Sequence, residues 1–140
     1  MSKLRVALLV GNSSGYGRSI LAGISRYLRA RCDWSVFFAQ RDLAAGLPSW
    51  VHAWQGDGVI AKDMPHALVD SLNARAISLV DLLGLAKPYE CTTIVADDAL
   101  IAQKAAEHFL DRGYTRFAFC GYQNAYWSEQ RCHAFIDYLR

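Results

Sequence analysis

The sequence predicts an α/β fold in which a mostly parallel sheet is flanked by helices on both of its faces. Short, continuous apolar runs alternate along the chain with stretches that carry an apolar stripe at helical spacing. Strands joined by helices pair in parallel through right-handed crossovers. The composition, 53% hydrophobic and 20% charged, is that of a globular protein, and the length of 140 residues suits one ordinary domain.

The predicted strands are apolar runs that are rich in β-branched or aromatic side chains. The first, Leu4–Val10, reads LRVALLV and precedes a loop of glycines and serines. Five more are predicted at 34–40, 57–61, 76–82, 92–97 and 116–121. Ligands gather at the carboxyl ends of parallel strands, so we expect the functional loops to follow these runs.

The first three predicted helices lie between the early strands. Apolar residues recur with helical spacing over 20–28, which predicts the first helix. Pro48 stands where a second helix would begin. Pro65 suits the first turn of a third helix, which Asp63 is expected to cap.

The last two helices are predicted from their end signals. A long helix runs from Asp98, its predicted N-cap, to Arg112, with Gly113 as the C-terminal stop. Ser128 is predicted to cap the final helix. The sequence ends within that helix at AFIDYLR, without a capping glycine, so we expect a piece of a longer protein.

Several protein classes are disfavoured by composition. The net charge is only +2 and the basic residues are scattered, which is too weak a pattern for direct nucleic-acid binding. The N-terminus lacks a signal peptide pattern and no run approaches a membrane span. The four cysteines and four histidines show no metal-binding spacing, so we expect reduced thiols, no metal, no cofactor and a cytoplasmic location.

The loop after the first strand has three interpretations. Gly11, Ser13 and Gly15 form a G-x-S-x-G motif, but a hydrolase would need an oxyanion-hole donor from an earlier loop, and only the first strand precedes it. The 11–17 glycine pattern matches neither dinucleotide nor P-loop motifs, although a helix start can attract an anion. In the third interpretation, Tyr16 and Arg18 reach over the strand ends and bind a small polyhydroxylated ligand.

Several stretches together carry a resemblance to a family: GYGRSILAGISRYLR, WQGDGVIA, VADDALIAQKAAEHFLDRGYTRFAFCG and WSEQRCHAFIDYL. In order and spacing they resemble the effector-binding part of xylose-operon-regulator-type transcription factors. These belong to the lac-repressor/galactose-repressor superfamily, whose sensory domains are built like type I periplasmic sugar-binding proteins. The resemblance covers essentially the whole chain.

The resemblance implies a two-lobed sugar sensor that performs no catalysis. Residues 1–96 would form the first lobe, and 97–140 the hinge crossing and the incomplete start of the second. The effector would be a sugar, with a pentose such as xylose expected. DNA would be bound by a domain outside this chain, and a homodimer is expected. The alternative is a nucleotide- or phosphate-dependent α/β enzyme that uses the Gly11–Gly17 loop.

The resemblance also implies which residues line the sugar site and the hinge. Asp81 would accept sugar hydroxyls, Arg131 would donate to them and Trp127 would stack on the ring. For each, a structural role is the alternative: a turn cap for Asp81, a surface ion pair with Glu129 or Asp137 for Arg131, and core packing for Trp127. The remaining residues implied are the cleft-lining Ser13, Ser14, Tyr16 and Arg18 and the hinge residues Asp97 and Asp98.

Overall fold

The computed structural model describes residues 3–31, 33–40, 48–62, 64–82 and 91–140. Two compact units are present: one contains the described residues up to 82 together with 91–94, and the other contains 95–140. None of the described helices is long and apolar enough to cross a membrane. The elements, in chain order, are β1 Leu4–Leu9, α1 Gly15–Arg31, β2 Trp34–Ala39, α2 Ser49–His52, β3 Gly58–Ala61, α3 His66–Ala74, β4 Ser78–Asp81, β5 Thr92–Thr93, α4 Asp98–Leu110 and α5 Tyr126–Tyr138.

The first unit is built on a five-stranded sheet in the order β2-β1-β3-β4-β5, in which all neighbouring strands are parallel. β1 and β2 pair over six residues, from Leu4 opposite Trp34 to Leu9 opposite Ala39. After β1 the chain forms β2 on one side of β1, and it then crosses to the other side of β1 to form β3. The connection therefore changes direction between β1 and β3, which is where open α/β sheets place ligands.

Helices cover both faces of this sheet, as predicted. Ala7 and Leu9 of β1 point to the face where α2 and α3 pack, and both are fully buried. Leu8 points to the opposite face, beside α1. The main core lies on the first of these faces and consists of Ala7, Leu9, Val51, Trp54, Val59, Ala61, Met64, Leu68, Val69, Leu72, Ile77 and Leu79.

The second unit is a pair of helices, α4 and α5, that pack around Ala102, Ala106 and Phe135. Phe117 lies against this small core, with its ring 6.0 Å from that of Phe135. Helix α4 ends at Leu110, two residues before its predicted end at Arg112, and the turn that follows it contains the predicted stop residue Gly113, whose φ is +76°. The Gly113 and Tyr114 amides donate to the carbonyls of Leu110 and Phe109, the paired bonds of a Schellman C-cap.

The predicted strand at 116–121 is wrong for the described structure, because these residues form no strand. A strand exists only through pairing, and no other strand is present among the described residues of this unit to pair with it. The strand predicted at 92–97 is reduced to Thr92–Thr93 for a similar reason: it pairs only with the end of β4.

Two capping predictions also differ from the structure, and a third falls outside the described residues. Asp97, not Asp98, caps α4: its carboxylate accepts a hydrogen bond from the Leu100 amide at 2.8 Å. Ser128 lies inside α5, which begins at Tyr126 after Ala125, and its hydroxyl oxygen accepts from an amide outside the helix. Asp63, the predicted cap of α3, lies outside the described residues.

Candidate functional site

The candidate site of the first unit lies at the carboxyl ends of β1, β3 and β4. Main-chain bonds tie these ends together: the Lys62 amide donates to the Leu9 carbonyl at 3.2 Å, and the Leu82 amide to the Ala61 carbonyl at 2.8 Å. Asp81 is the last residue of β4. Loops that leave neighbouring parallel strands meet at one edge of the sheet, so the side chains that follow these strands share one location.

The glycine and serine loop after β1 is held by its own hydrogen bonds. Ser14 precedes the first residue of α1, and its hydroxyl oxygen accepts from the Gly17 amide at 3.1 Å, which makes it an N-cap. The Arg18 guanidinium donates to the carbonyls of Asn12 and Ser13 at 3.1 and 2.9 Å. The functional groups of Ser14 and Arg18 therefore stabilise the loop itself.

Two of the three interpretations of this loop lose support from its geometry. A nucleophile elbow places its serine in strained backbone geometry, but within the described ranges only Ala76 and Asn124 combine a side chain with positive φ, and Ser13 does not. A phosphate cradle needs amides at the helix start, and those of Gly17 and Arg18 already bond to Ser14.

Tyr16 connects the loop to the end of β4. Its hydroxyl donates to the Leu82 carbonyl at 3.1 Å, one residue beyond Asp81. The Lys62 ammonium, from the end of β3, lies 5.4 Å from the centre of the Tyr16 ring. Sequence reasoning did not select Lys62, although its place directly after a predicted strand was a usable signal. The structure thus brings together Tyr16, Lys62 and the residues that end β4.

Among the described residues of this unit, Asp81 is the buried charged residue, with only 2% of its surface exposed. Its main-chain carbonyl accepts a hydrogen bond from the Ile94 amide at 2.8 Å, which joins β4 to the segment that follows β5. None of the buried side-chain polar atoms of the described residues lacks a hydrogen-bond partner, and a carboxylate oxygen can accept more than one hydrogen bond. Such a group suits a ligand rich in hydroxyls.

The second unit brings together Asp98, Arg131 and Trp127. The Arg131 Nε donates to the Asp98 Oδ1 at 2.7 Å, with 32% and 18% of the two side chains exposed. The guanidinium carbon lies 5.0 Å from the centre of the Trp127 ring, which also contacts the Tyr122 ring at 5.5 Å. Arg131 therefore pairs with Asp98 rather than with Glu129 or Asp137.

The described side chains include no group of three or more His, Cys, Asp or Glu residues that could hold a metal ion. The candidate residues are hydrogen-bond donors, acceptors and aromatic rings. These are the groups that proteins use to bind polar small molecules without covalent chemistry.

Comparison with known proteins shows the family. Residues 5–103 match the family model described as the XylR N-terminal domain. The chain belongs to this family. The XylR-type chain is 29% identical over 140 residues to the xylose operon regulatory protein of Escherichia coli K12, covering 94% of this chain and 35% of that protein. The corresponding Haemophilus influenzae protein is 26% identical over 147 residues, covering 96% and 36%.

Solved structures agree with this assignment. A xylose-binding transcription activator, xylR, superposes with a TM-score of 0.77 at 25% identity, over 99% of this chain and 36% of that one. A regulator from Alkaliphilus metalliredigens, solved with D-xylulofuranose, has a TM-score of 0.73 at 16% identity, over 98% and 52%, and shows the fold alone. The XylR-type chain spans about a third of the length of its curated relatives, which are transcription regulators, and the phosphate-enzyme alternative has no support.

Proposed function

We propose that this XylR-type chain is the sugar-sensing part of a transcription regulator and that it binds a pentose such as xylose without catalysis. The observation that carries the proposal is the buried carboxylate of Asp81 at the end of β4, in a chain that belongs to the XylR N-terminal domain family. The names of the relatives, a xylose operon regulatory protein and a xylose-binding activator, support xylose as the first sugar to test.

In this proposal, Asp81 accepts hydrogen bonds from two sugar hydroxyls. A carboxylate with two oxygens matches a pair of adjacent hydroxyls, and charge-assisted bonds are stronger than neutral ones. Loss of the charge at this position should cost about 1–3 kcal/mol of binding free energy, a roughly ten- to hundredfold drop in affinity.

The other first-unit residues have supporting roles in the proposed site. Tyr16 holds the loop against the end of β4 through the Leu82 carbonyl. Lys62 places its ammonium over the Tyr16 ring and is a further candidate for contact with sugar oxygens. Ser13 and Arg18 shape the loop, since both take part in its internal hydrogen bonds through the Ser13 carbonyl.

In the second unit, Arg131 is proposed as the sugar donor and Trp127 as its stacking surface. The bond to Asp98 uses Nε, so the N–H groups on the two Nη atoms of Arg131 take no part in it. The Trp127 ring and the Asp98 carboxylate fix the plane of the guanidinium. A guanidinium held in this way loses little side-chain entropy when it binds a ligand.

We also propose, as a setting for this function, that the regulator acts in the cytoplasm as a homodimer and that DNA is bound by a domain outside these residues. We further propose residues 1–96 and 97–140 as parts of two lobes, with Asp97 and Asp98 at the crossing. The family assignment and the regulator names of the relatives support this organisation.

The experiment is a xylose titration of the full-length regulator by calorimetry, with operator binding measured in parallel. Asp81→Asn keeps the shape of the side chain and removes its charge, so we expect a ten- to hundredfold loss of xylose affinity, about 1–3 kcal/mol, with DNA binding retained. Asp70→Asn, at an exposed position of α3, is the matched control. Unchanged xylose affinity in Asp81→Asn would exclude Asp81 from the site.

Arg131 is tested in the same assay with Arg131→Gln, which keeps hydrogen-bonding capacity and removes the charge. We expect loss of the xylose response with DNA binding retained, whereas Arg26→Gln, at an exposed position of α1, should behave like the parent protein. A normal response in Arg131→Gln would restrict this residue to its structural pair with Asp98.

A further inference from the structure

Ser128 is a buried polar residue whose side chain binds a loop outside its own helix. Only 3% of its surface is exposed, although it lies in the first turn of α5. Its hydroxyl oxygen accepts a hydrogen bond from the Tyr122 amide at 2.9 Å. The N-cap of α5 is Ala125, whose carbonyl accepts from the amides of Ser128 and Glu129, and the hydroxyl takes no part in these bonds. The Ser128 side chain therefore fixes the segment that precedes α5.

The loop 121–125 has residue types that let its main chain approach this hydroxyl. A Cβ atom at Gly121 would overlap the Ser128 hydroxyl oxygen and would lie 2.6 Å from a ring carbon of Phe119, so only glycine fits there without displacement of its neighbours. Asn124 then turns the chain with a φ of +58°, a conformation that asparagine adopts more readily than most residues. The hydrogen bond to Ser128 therefore belongs to a closely packed turn.

The same hydrogen bond holds the Tyr122 ring near Trp127. The two ring centres lie 5.5 Å apart, with the ring planes tilted by 54°. Tyr122 is 68% exposed, so few atoms surround its side chain, and its anchored main chain keeps the ring within reach of Trp127. The Arg131 guanidinium carbon lies 5.0 Å from the centre of the Trp127 ring. Contacts thus run in series from Ser128 through the two aromatic rings to Arg131.

We propose that Ser128 is a positioning residue for the second-unit part of the sugar site and that it acts through Tyr122 on Trp127. This role rests on the proposed function, in which Trp127 stacks on the sugar ring. A side chain that is ordered before the ligand arrives costs less entropy on binding than a mobile one. Without the Ser128 hydroxyl the Tyr122 amide loses its acceptor, and the loop is no longer held against Trp127. Loss of the hydroxyl should therefore lower xylose affinity about tenfold.

A purely structural role for Ser128 has a different consequence. A hydroxyl that only stabilised the fold would, when removed, lower the midpoint of unfolding and leave the surroundings of Trp127 in the folded protein as they were. A positioning role changes those surroundings in the folded protein before any sugar is added. The state of the Trp127 ring without ligand therefore separates the two roles.

The first test follows Trp127 by fluorine NMR of the full-length regulator labelled with fluorotryptophan, in the absence of sugar. The Trp127 resonance is assigned by its loss in Trp127→Phe. We expect Ser128→Ala to shift or broaden this resonance, whereas Ser25→Ala, at an exposed position of α1, should leave it unchanged. Circular dichroism checks that each variant is folded. An unchanged Trp127 resonance in Ser128→Ala overturns the positioning role.

The second test is a double-mutant cycle on xylose affinity, measured by calorimetry of the full-length regulator. We expect Ser128→Ala and Tyr122→Ala each to lower the affinity about tenfold, and the double variant to lose no more than either one, because both act through the orientation of Trp127. Tyr114→Ala, at a position that is 56% exposed, is the matched control and should bind xylose like the parent. Losses that multiply in the double variant, or an unchanged affinity in Tyr122→Ala, contradict the role. Because Tyr122 is exposed, its substitution tests the role in a folded protein.

Failure of this role and failure of the proposed function give different results. A parent regulator that does not bind xylose, or an Arg131→Gln variant that binds it normally, overturns the sugar site in the second unit and the role of Ser128 with it. A parent that binds xylose and an Arg131→Gln variant that does not bind it support the site. If Ser128→Ala then keeps the parent's Trp127 resonance and xylose affinity, the role of Ser128 alone is overturned.

Discussion

Gly17 provides the sharpest test of how the loop after β1 packs against α1. A Cβ atom built at Gly17 would overlap the Gly11 carbonyl oxygen and would lie 3.0 Å from the Gly11 carbonyl carbon. Both are main-chain atoms, which cannot move aside as a flexible side chain can. Gly17→Ala should therefore force the loop and the first turn of α1 apart.

The magnitude follows from comparison with Gly23, which lies in the same helix with no atom within 4 Å of a Cβ built there. Glycine in an exposed helix interior costs about 1 kcal/mol relative to alanine, so Gly23→Ala should stabilise the first unit by that amount. Gly17→Ala gains the same helix propensity but forces an overpacked contact that costs about 1–3 kcal/mol. It also strains the bonds from the Gly17 and Arg18 amides to Ser14.

The assay is urea unfolding followed by tryptophan fluorescence in a Trp127→Phe background. The chain has four tryptophans, and this background leaves those of the first unit: Trp34, Trp50 and Trp54. We expect Gly23→Ala to shift the midpoint upward and Gly17→Ala to shift it downward. Equal stabilisation by both substitutions would refute the close approach of the loop to α1.

Three further predictions concern other parts of the molecule. Ser13→Ala should leave the fold and the sugar response unchanged, and ester hydrolysis lost in that variant would revive the hydrolase interpretation. The Lys104 ammonium, which donates a hydrogen bond to Glu107, holds the pKa of that carboxyl below its usual range. Lys104→Ala should raise the pKa of Glu107 in an NMR titration, and an unchanged pKa would contradict the assignment. The stabilisation that the Lys104–Glu107 pair gives to the folded state is present above the ordinary carboxyl pKa and is lost as pH falls through the lower folded value. Arg131→Gln should destabilise the second unit by about 1 kcal/mol, and a double-mutant cycle with Asp98→Asn should find coupling, whereas additive effects would rule out an energetic pair.

The sheet of the first unit could be predicted because each strand has its own local signal. Leu4–Leu9 and Trp34–Ala39 are apolar runs of six residues, and this local pattern predicts a strand although the structure buries much of the first and little of the second. The segment 116–121 has the same kind of signal but forms no strand in the described structure. Its sequence reports a preference for extended backbone, and pairing depends on partners that the local sequence does not specify.

The contacts of the candidate residues could be predicted less completely, because side-chain partners lie far apart in sequence. Asp97 and Asp98 are adjacent carboxylates, and either could cap a helix by local rules. The structure assigns the cap to Asp97, while Asp98 bonds to Arg131, 33 residues away. Lys62 was missed for the same reason, since a single lysine after a strand is common and only the fold places it on Tyr16.

Asp81 has two separate roles: its main-chain carbonyl accepts a hydrogen bond from Ile94, and its side chain is proposed to bind the sugar. Ile94 is the last residue of the first unit, and its amide donates to the carbonyl of the residue whose side chain is proposed to hold the sugar. Asn at position 81 retains that carbonyl and removes only the charge. We therefore expect deuterium uptake at the Ile94 amide to be unchanged in Asp81→Asn without sugar. We expect xylose to slow this uptake in the parent regulator and not in Asp81→Asn. Exchange at this one amide thus reports both on the main-chain hydrogen bond between Ile94 and Asp81 and on whether sugar occupies the proposed site.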